Sequence, residues 1–316
     1  MSLKDYKYFV AVAEEQHFGR AAARCNVSQP TLSVQLKKLE EQLGVLLFER
    51  HPRQVVLTMA GQVVLAKARQ MLRLEQEILQ LAQAATDPLS GPLRLGMIPT
   101  IAPYLLPHFV PFQTQAAPQL QPLLTEGKTS ELLEMLREGT LDAAVLALPL
   151  DDVEDLATTP LYQEFFYLAV PETHPLVSKK HPSTQDIPEG ELLLLTEGHC
   201  LRGHALDVCE FLGAAENAKL RATSLETLRH MVMAGQGVTL LPSLALDWPE
   251  NSAMPRWPHL TIKPIKGSNM DRPARQIGVM FRYGYPRAAA LKKLFSAFAD
   301  NLIATQQGVA KLDVAS

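Results

Sequence analysis

The sequence has little of what marks a secreted or membrane-spanning protein. Its 316 residues include only three cysteines, no apolar run approaches the ~18 residues that suggest a membrane span, and the N-terminus lacks the pattern of a signal peptide. A static disulfide is disfavoured, because disulfides persist mainly in secreted proteins. We expect a cytoplasmic protein that does not engage membranes and carries no cofactor.

The net charge is small but unevenly distributed. The overall charge is −3 and 47% of the residues are hydrophobic, as in an ordinary globular protein, and the length predicts two or three domains. Residues 1–60 contain eight Lys and Arg against six acids, a net charge of +2, so the remainder carries −5. This asymmetry favours a nucleic-acid-binding end on an acidic body.

The N-terminal residues have the pattern of a helix-turn-helix. An apolar stripe predicts a first helix from about Leu3 to Glu15, and a second begins near Phe18. The segment Asn26-Val27-Ser28 is short enough for the corner, and its serine suits the N-cap of a third helix that Gly44 ends. The polar residues expected to face outward from the third helix are Thr31, Ser33, Gln35 and Lys37. In a recognition helix such residues reach base edges and phosphates.

A two-stranded wing is predicted after this helix. Residues 46–50 and 55–57 are short apolar segments, and the tip between them carries His51, Pro52 and Arg53. A small helical domain with a solvated polar face would show much the same pattern, because polar helix faces are common.

The stretch FGRAAARCNVSQPTLSVQLKKLEEQLGVLLFER, followed by LT-x-x-G at Leu57 to Gly61, resembles the winged helix-turn-helix of LysR-type transcriptional regulators. The resemblance implies that bases are approached by Gln29, Pro30, Thr31 and Ser33. It implies backbone contacts by Lys37, Lys38 and Arg50, a minor-groove contact by Arg53, and a further DNA contact by Lys4.

A long helix connects this domain to the rest of the chain. Thr58 can cap it, and its apolar residues recur as far as about Ala85. A helix of this length measures about 42 Å, and the wing motif could not bury so long an apolar seam alone. The seam consists of Val64, Ala68, Met71, Leu72, Ile78, Leu79 and Ala82. We expect a dimer-forming helix, with packing on the chain's own C-terminal domain as the alternative.

The remaining residues alternate between predicted strands and helices. This pattern favours an α/β domain with a largely parallel sheet. We predict a winged helix-turn-helix at 1–58, a linker helix at 59–90, a two-lobed regulatory domain at 91–305 and a tail at 306–316. Lobe I comprises about 91–164 and 266–305, and lobe II comprises about 165–265.

The segment GHCLRGHALDVC, residues 198–209, contains two of the three cysteines. His199 and Arg202 flank Cys200, and cationic neighbours favour the reactive thiolate. Cys209 lies on the apolar face of a predicted short helix. A helical step between the two cysteines spans roughly 13 Å, against under about 7 Å between the Cα atoms of a disulfide. Joining the sulfurs would therefore require refolding of this segment, which is what a switch needs.

Two other interpretations of these cysteines remain open. Buried free cysteines are common and unreactive. Zinc is the sharper alternative, because His199, Cys200, His204 and Cys209 supply four N and S ligands, although their spacing matches none of the usual pairs. We predict no metal site.

Three polar residues follow predicted strands, where ligands bind in open α/β sheets. Thr100, Thr129 and His199 hold these positions, and Arg275 leads into a later strand as a further donor. With Cys200 they outline a small polar pocket. Each hydroxyl could instead cap a helix.

The C-terminal domain resembles the effector-binding domain of LysR-type regulators, similar in fold to periplasmic binding proteins. Its motifs IPTIAPYLLP, GHCLR, RATSLETLR and G-x-GVTLLP are similar to those of the peroxide-sensing members. The resemblance implies that Cys200 is the peroxidatic thiol and Cys209 the resolving thiol. The implied peroxide-binding residues are Thr100, Thr129, His199, Arg202 and Arg275.

This resemblance also implies a non-enzymatic regulator and its partners. We expect promoter DNA, further copies of the chain in a dimer or tetramer, RNA polymerase, and hydrogen peroxide as the signal that activates antioxidant genes. The alternatives are a LysR-type regulator gated by a small organic effector, a zinc sensor, and, from another class, a thiol peroxidase using the same cysteine pair.

Overall fold

The computed structural model describes residues 1–51, 54–84, 87–196, 216–246, 257–266 and 272–312. The chain divides into two compact units, Met1–Thr86 and Asp87–Ser316. Within the described ranges no helix is both long enough and apolar enough to cross a membrane.

The N-terminal unit is the predicted winged helix-turn-helix followed by a long helix. Its elements are α1 (Leu3–Glu15), α2 (Phe18–Arg24), α3 (Gln29–Leu43), β1 (Phe48–His51), β2 (Gln54–Leu57) and α4 (Met59–Ala84). The first strand begins two residues later than predicted. The carbonyl of Leu46 accepts from the Thr58 hydroxyl and the amide of Leu47 donates to Glu40, so both residues are engaged outside the two-stranded ladder.

Local hydrogen bonds and backbone geometry explain where α3 begins and ends. The Ser28 hydroxyl accepts from the Thr31 amide at 3.3 Å, which satisfies one of the free amides of the first turn. At the other end Gly44 has a φ of 71°, the left-handed conformation that glycine adopts without steric cost. Leu32 and Leu36 of this helix are fully buried with Phe9 of α1. These contacts fix the orientation of the recognition helix within its unit.

The LT-x-x-G motif joins the wing to α4. The Thr58 hydroxyl accepts from the Gly61 amide at 2.9 Å and donates to the Leu46 carbonyl at 2.7 Å. Gly61 lies so close to the wing that a Cβ atom there would be 2.1 Å from the Leu47 carbonyl oxygen. The motif therefore combines a helix cap with a close approach that only glycine permits.

The residues of the predicted apolar seam of α4 fall into two groups. Ala68 is fully buried, and Val64 and Leu72 pack beside it against the core of the three N-terminal helices. Farther along the helix Ile78 is 65% exposed and Leu79 is 64% exposed. The first half of the helix is thus held by its own unit, whereas the second half presents apolar side chains without cover from that unit.

The C-terminal unit contains the remaining elements. In chain order they are β3 (Gly91–Met97), α5 (Ala102–Ala116), β4 (Leu120–Glu126), α6 (Thr129–Arg137), β5 (Ala143–Leu148), β6 (Leu156–Pro171), β7 (Leu192–Leu195), β8 (Glu216–Ala222), α7 (Leu225–Met233), β9 (Thr239–Pro242), β10 (Leu260–Pro264), β11 (Ala274–Arg282), α8 (Ala288–Thr305) and β12 (Val309–Ala310).

The main sheet of this unit is mixed, so the prediction of a largely parallel sheet is wrong. Its strand order is β10-β6-β11-β5-β3-β4, with β9 and β12 also paired to β6. Strand β3 runs parallel to β4 and β5, and the other pairs are antiparallel. The cause is β6, whose sixteen residues offer pairing positions to four strands.

Two hydrophobic cores lie along β6. One contains buried residues from Leu93 to Tyr162 and from Ile277 to Val309, and the other contains buried residues from Phe166 to Ile265. The change from one core to the other falls beside residue 165, where the sequence places the division between lobes. Strand β6 therefore connects the two cores as one continuous element.

Replacing Gly61 with alanine is predicted to destabilise the N-terminal unit by about 1–3 kcal/mol, because the new methyl group must displace the Leu47 carbonyl. Hydrogen exchange of residues 3–62 in the full chain measures the effect. The control is Gln62→Ala, at the exposed next position. Unchanged protection in Gly61→Ala would contradict the structural role of the motif.

Candidate functional site

The predicted DNA-reading residues lie on the N-terminal half of α3. Gln29, Pro30 and Thr31 form its exposed first turn, and Ser33 is half-buried behind them. Lys37 and Lys38 follow as exposed cations, with the Lys37 ammonium 3.8 Å from Glu41. One polar face of the helix thus carries hydrogen-bonding groups at its beginning and positive charge farther along.

Three further residues predicted to contact DNA lie outside α3, one before it in the sequence and two after it. Lys4 is exposed and its ammonium lies 5.7 Å from the centre of the Tyr8 ring. Arg50 belongs to β1, where it pairs with Val55 of β2. Arg53 lies outside the described residues.

Glu40 is an important residue of this unit that the sequence did not reveal. Its carboxylate is buried and accepts from the backbone amides of Leu47 at 2.8 Å and Phe48 at 3.3 Å. The carboxylate therefore ties the recognition helix to the start of the wing. The only signal in the sequence is an acid one residue after Leu39 on the apolar side of the helix.

In the C-terminal unit, Thr100 and Arg275 are brought together. Arg275 is 2% exposed, and its guanidinium donates from Nη1 to the Thr100 hydroxyl at 3.0 Å and from Nη2 to the Thr100 carbonyl at 2.9 Å. Thr100 is equally buried. The alternative that Thr100 caps α5 is not supported, because the N-cap of that helix is Ile101 and no side chain caps it.

The guanidinium is neutralised by Glu164. The Glu164 carboxylate is 1% exposed and lies 2.8 Å from both Nε and Nη2 of Arg275. Its other oxygen accepts from the Leu244 amide at 2.9 Å. Nearby in the sequence, Tyr162 is fully buried, and its hydroxyl finds no partner among the described residues. Burial, and secondarily the Glu164 charge, raises the pKa of Tyr162 far above its usual value, so this hydroxyl stays neutral.

The sheet topology explains why Thr100 and Arg275, which are far apart in the sequence, are in contact. Strands β3 and β4 are parallel and pair Met97 with Glu126 at their carboxyl ends, and Thr100 and Thr129 each follow three residues later. Strand β11 runs antiparallel to β5 and pairs Gln276 with Leu148, so its beginning, with Arg275, lies at this same edge. Thr129 is the first residue of α6, and Lys128 is the N-cap.

The segment that contains the two cysteines predicted to react falls outside the described residues. His199, Cys200, Arg202, His204 and Cys209 all belong to it, and the described chain before it ends at Thr196, just beyond β7. Among the residues that are described, no cluster of three or more His, Cys, Asp or Glu side chains could hold a metal ion. Thr100 and Arg275 are thus the members of the predicted pocket that the structure shows in contact.

The exposed polar face of α3, and the buried Thr100–Arg275 pair at the edge of an α/β sheet, are the features expected of a DNA-binding regulator with an α/β sensing unit. Residues 3–62 match the family described as bacterial regulatory helix-turn-helix proteins, lysR family, and residues 86–303 match the LysR substrate binding domain. The chain belongs to the LysR family of transcriptional regulators and is not an enzyme.

Similar proteins within the family are OxyR regulators. The DNA-binding transcriptional dual regulator OxyR of Escherichia coli K12 is 43% identical over 297 residues, which cover 94% of each chain. A full-length OxyR cysteine variant from Pseudomonas aeruginosa has 38% identity and a TM-score of 0.75 over 99% of both chains. A hydrogen-peroxide-bound OxyR cysteine variant from Corynebacterium glutamicum has 33% identity and a TM-score of 0.63, covering 100% of this chain and 98% of the other.

Arg275→Met is predicted to lower the free energy of unfolding of the C-terminal unit by about 3–5 kcal/mol, because Glu164 would remain as a buried charge without its cation. Urea unfolding followed by fluorescence of Trp248 and Trp257 measures this. Arg137→Met, which breaks the exposed pair with Asp155, should leave stability nearly unchanged. Equal effects of the two substitutions would contradict the importance of the buried pair.

Proposed function

We propose that this protein is a transcriptional activator of antioxidant genes that senses hydrogen peroxide through reversible formation of a Cys200–Cys209 disulfide. The observation that carries the proposal is the buried contact of Arg275 with Thr100 at the carboxyl edge of the sheet. The Arg275 cation and the Thr100 hydroxyl are hydrogen-bonding groups that could bind a small polar oxidant, and the fold is shared with a peroxide-bound relative.

The proposed reaction is a two-electron oxidation of the cysteine pair. The Cys200 thiolate attacks one peroxide oxygen, the O–O bond breaks, and a sulfenic acid forms while hydroxide leaves and takes up a proton to become water. The Cys209 thiol then attacks the Cys200 sulfur, the disulfide forms, and a second water is released. Thr100, Thr129, His199 and Arg202 hold and polarise the peroxide, with Arg275 as a further donor.

The third cysteine has a different environment. Cys25 is half-buried in the N-terminal unit, and burial raises the pKa of its thiol against the opposing effect of Arg24. A thiol with a raised pKa is protonated near neutral pH and reacts slowly with peroxide. Cys25 is therefore an internal control for the selectivity of oxidation.

Transmission to DNA would proceed through the assembly. The exposed apolar residues of α4, among them Leu74, Ile78 and Leu79, supply a surface for a second copy of the chain. Two recognition helices then read paired half-sites in promoter DNA. Oxidation shifts a cytoplasmic homotetramer so that contacts with the promoter and with RNA polymerase change.

Roughly equimolar hydrogen peroxide added to fully reduced protein is predicted to crosslink Cys200 to Cys209 while Cys25 stays free, as measured by peptide mapping under non-reducing conditions. Cys200→Ser should abolish both the crosslink and the change in the DNA footprint. If the wild-type thiols stay reduced, the chain responds to an organic effector or a metal instead. Turnover of many peroxides per chain with a reductant present would indicate a peroxidase.

Lys38→Ala is predicted to weaken operator binding similarly across sequences and to reduce the slope of log affinity against log salt by about 1, because one phosphate contact is lost. Binding titrations at several salt concentrations measure the slope. The control is Lys293→Ala, an exposed lysine of α8 in the other unit. An unchanged slope for Lys38→Ala would remove this residue from the proposed interface.

A further inference from the structure

Glu164 joins three segments that are far apart in the sequence. One carboxylate oxygen lies 2.8 Å from Nε and Nη2 of Arg275, and the other accepts from the Leu244 amide at 2.9 Å. Arg275 in turn donates to Thr100. The carboxylate is therefore one step removed from the proposed peroxide-binding hydroxyl.

The backbone at Glu164 is held on both sides. Glu164 pairs with Arg275 across the β6–β11 ladder and with Val309 of β12 on its other side. The neighbouring Phe165 amide donates to the Gly308 carbonyl at 2.9 Å, and the Ser243 hydroxyl donates to the same oxygen at 2.8 Å. The carboxylate thus starts from a fixed point in the sheet.

The ion pair with Glu164 determines which edge of the Arg275 guanidinium contacts Thr100. A guanidinium has five N–H donors in a rigid plane. Because Glu164 occupies the Nε and Nη2 edge, Nη1 is directed at the Thr100 hydroxyl oxygen, which accepts. A hydroxyl that accepts from a cation keeps its own hydrogen for another acceptor. The two successive hydrogen bonds, from Arg275 to Glu164 and from Arg275 to Thr100, therefore leave the Thr100 hydroxyl hydrogen to be donated to a ligand oxygen.

We propose that Glu164 is a positioning residue of the peroxide pocket, which orients Arg275 so that the Thr100 hydroxyl donates to the bound peroxide. The inference rests on the proposed function. A donor to the leaving oxygen stabilises the charge that develops as the O–O bond breaks. Misplacement of such a donor by about 1 Å can cost up to 100-fold in rate.

The test is the second-order rate constant for oxidation of Cys200 in the full, reduced chain, measured by rapid quenching and mass spectrometry. Glu164→Gln is expected to lower the rate constant for hydrogen peroxide about 10- to 100-fold. Its rate of Cys200 alkylation by iodoacetamide should match wild type, because alkylation needs the Cys200 thiolate but no hydrogen bond from Thr100 to a peroxide oxygen. Glu164→Asp, which keeps the charge, should recover part of the peroxide rate.

The matched control is Asp142→Asn. Asp142 is also 1% exposed and pairs with an arginine, Arg94 at 2.7 Å, but it precedes β5 at the amino edge of the parallel strands, whereas Thr100 lies at their carboxyl edge. This variant should lose comparable stability and keep the wild-type peroxide rate. If Asp142→Asn slows oxidation as much as Glu164→Gln, the effect is general destabilisation and the inference fails.

A double variant tests whether Glu164 acts through Arg275. Arg275→Gln should slow oxidation, and adding Glu164→Gln should slow it no further, because the group to be positioned is already gone. Additive losses, or a wild-type rate in Glu164→Gln, would overturn the inference. Equal losses with peroxide and iodoacetamide would also overturn it. Absence of any peroxide reaction in the wild-type chain would instead overturn the proposed function.

Discussion

The buried ion pair between Glu164 and Arg275 is the interaction on which the sensing unit depends. Two charges that are each about 1% exposed lose their hydration on folding, and only close mutual contact with additional hydrogen bonds offsets this cost. Both conditions are met, because Thr100 and Leu244 provide the remaining partners. Residues 100, 164, 244 and 275 must therefore come together to offset the desolvation free energy of the two buried charges when the unit folds.

The N-terminal unit uses the same device at a smaller scale. The buried Glu40 carboxylate accepts two backbone amides and so fixes the wing relative to the recognition helix. Removing such an acceptor leaves buried amides unsatisfied, which costs more than the hydrogen bond contributes when present. In both units a single carboxylate joins elements that the hydrophobic core alone would hold less specifically.

The sequence predicts features whose causes are local. Helices α1 to α3 follow from apolar periodicity, and the ends of α3 follow from Ser28 and Gly44, whose effects act within one turn. The length of β6 and the mixed sheet were not predictable in this way, because Thr158, Thr159 and Pro160 interrupt the apolar pattern and pairing is decided by distant strands. Glu164 and Glu40 escaped notice for the same reason, since nothing near them in sequence shows that their partners are residues 275, 244 and 47.

The topology places the ion pair where the chain enters and leaves the second core. The chain enters this core along β6 after Glu164 and returns at Arg275, the second residue of β11, so the sequence interval between the two charged residues, 165–274, includes Cys200 and Cys209. The amide of Leu244, a residue within this interval, donates to the same Glu164 carboxylate. The Tyr104 hydroxyl adds a further connection by donating to Glu226 of α7 at 3.1 Å. One route by which a rearrangement in this interval can reach the first core therefore passes through Glu164, the group that holds Arg275 against Thr100. Under the proposed function, peroxide binding and the response to oxidation share this single buried contact.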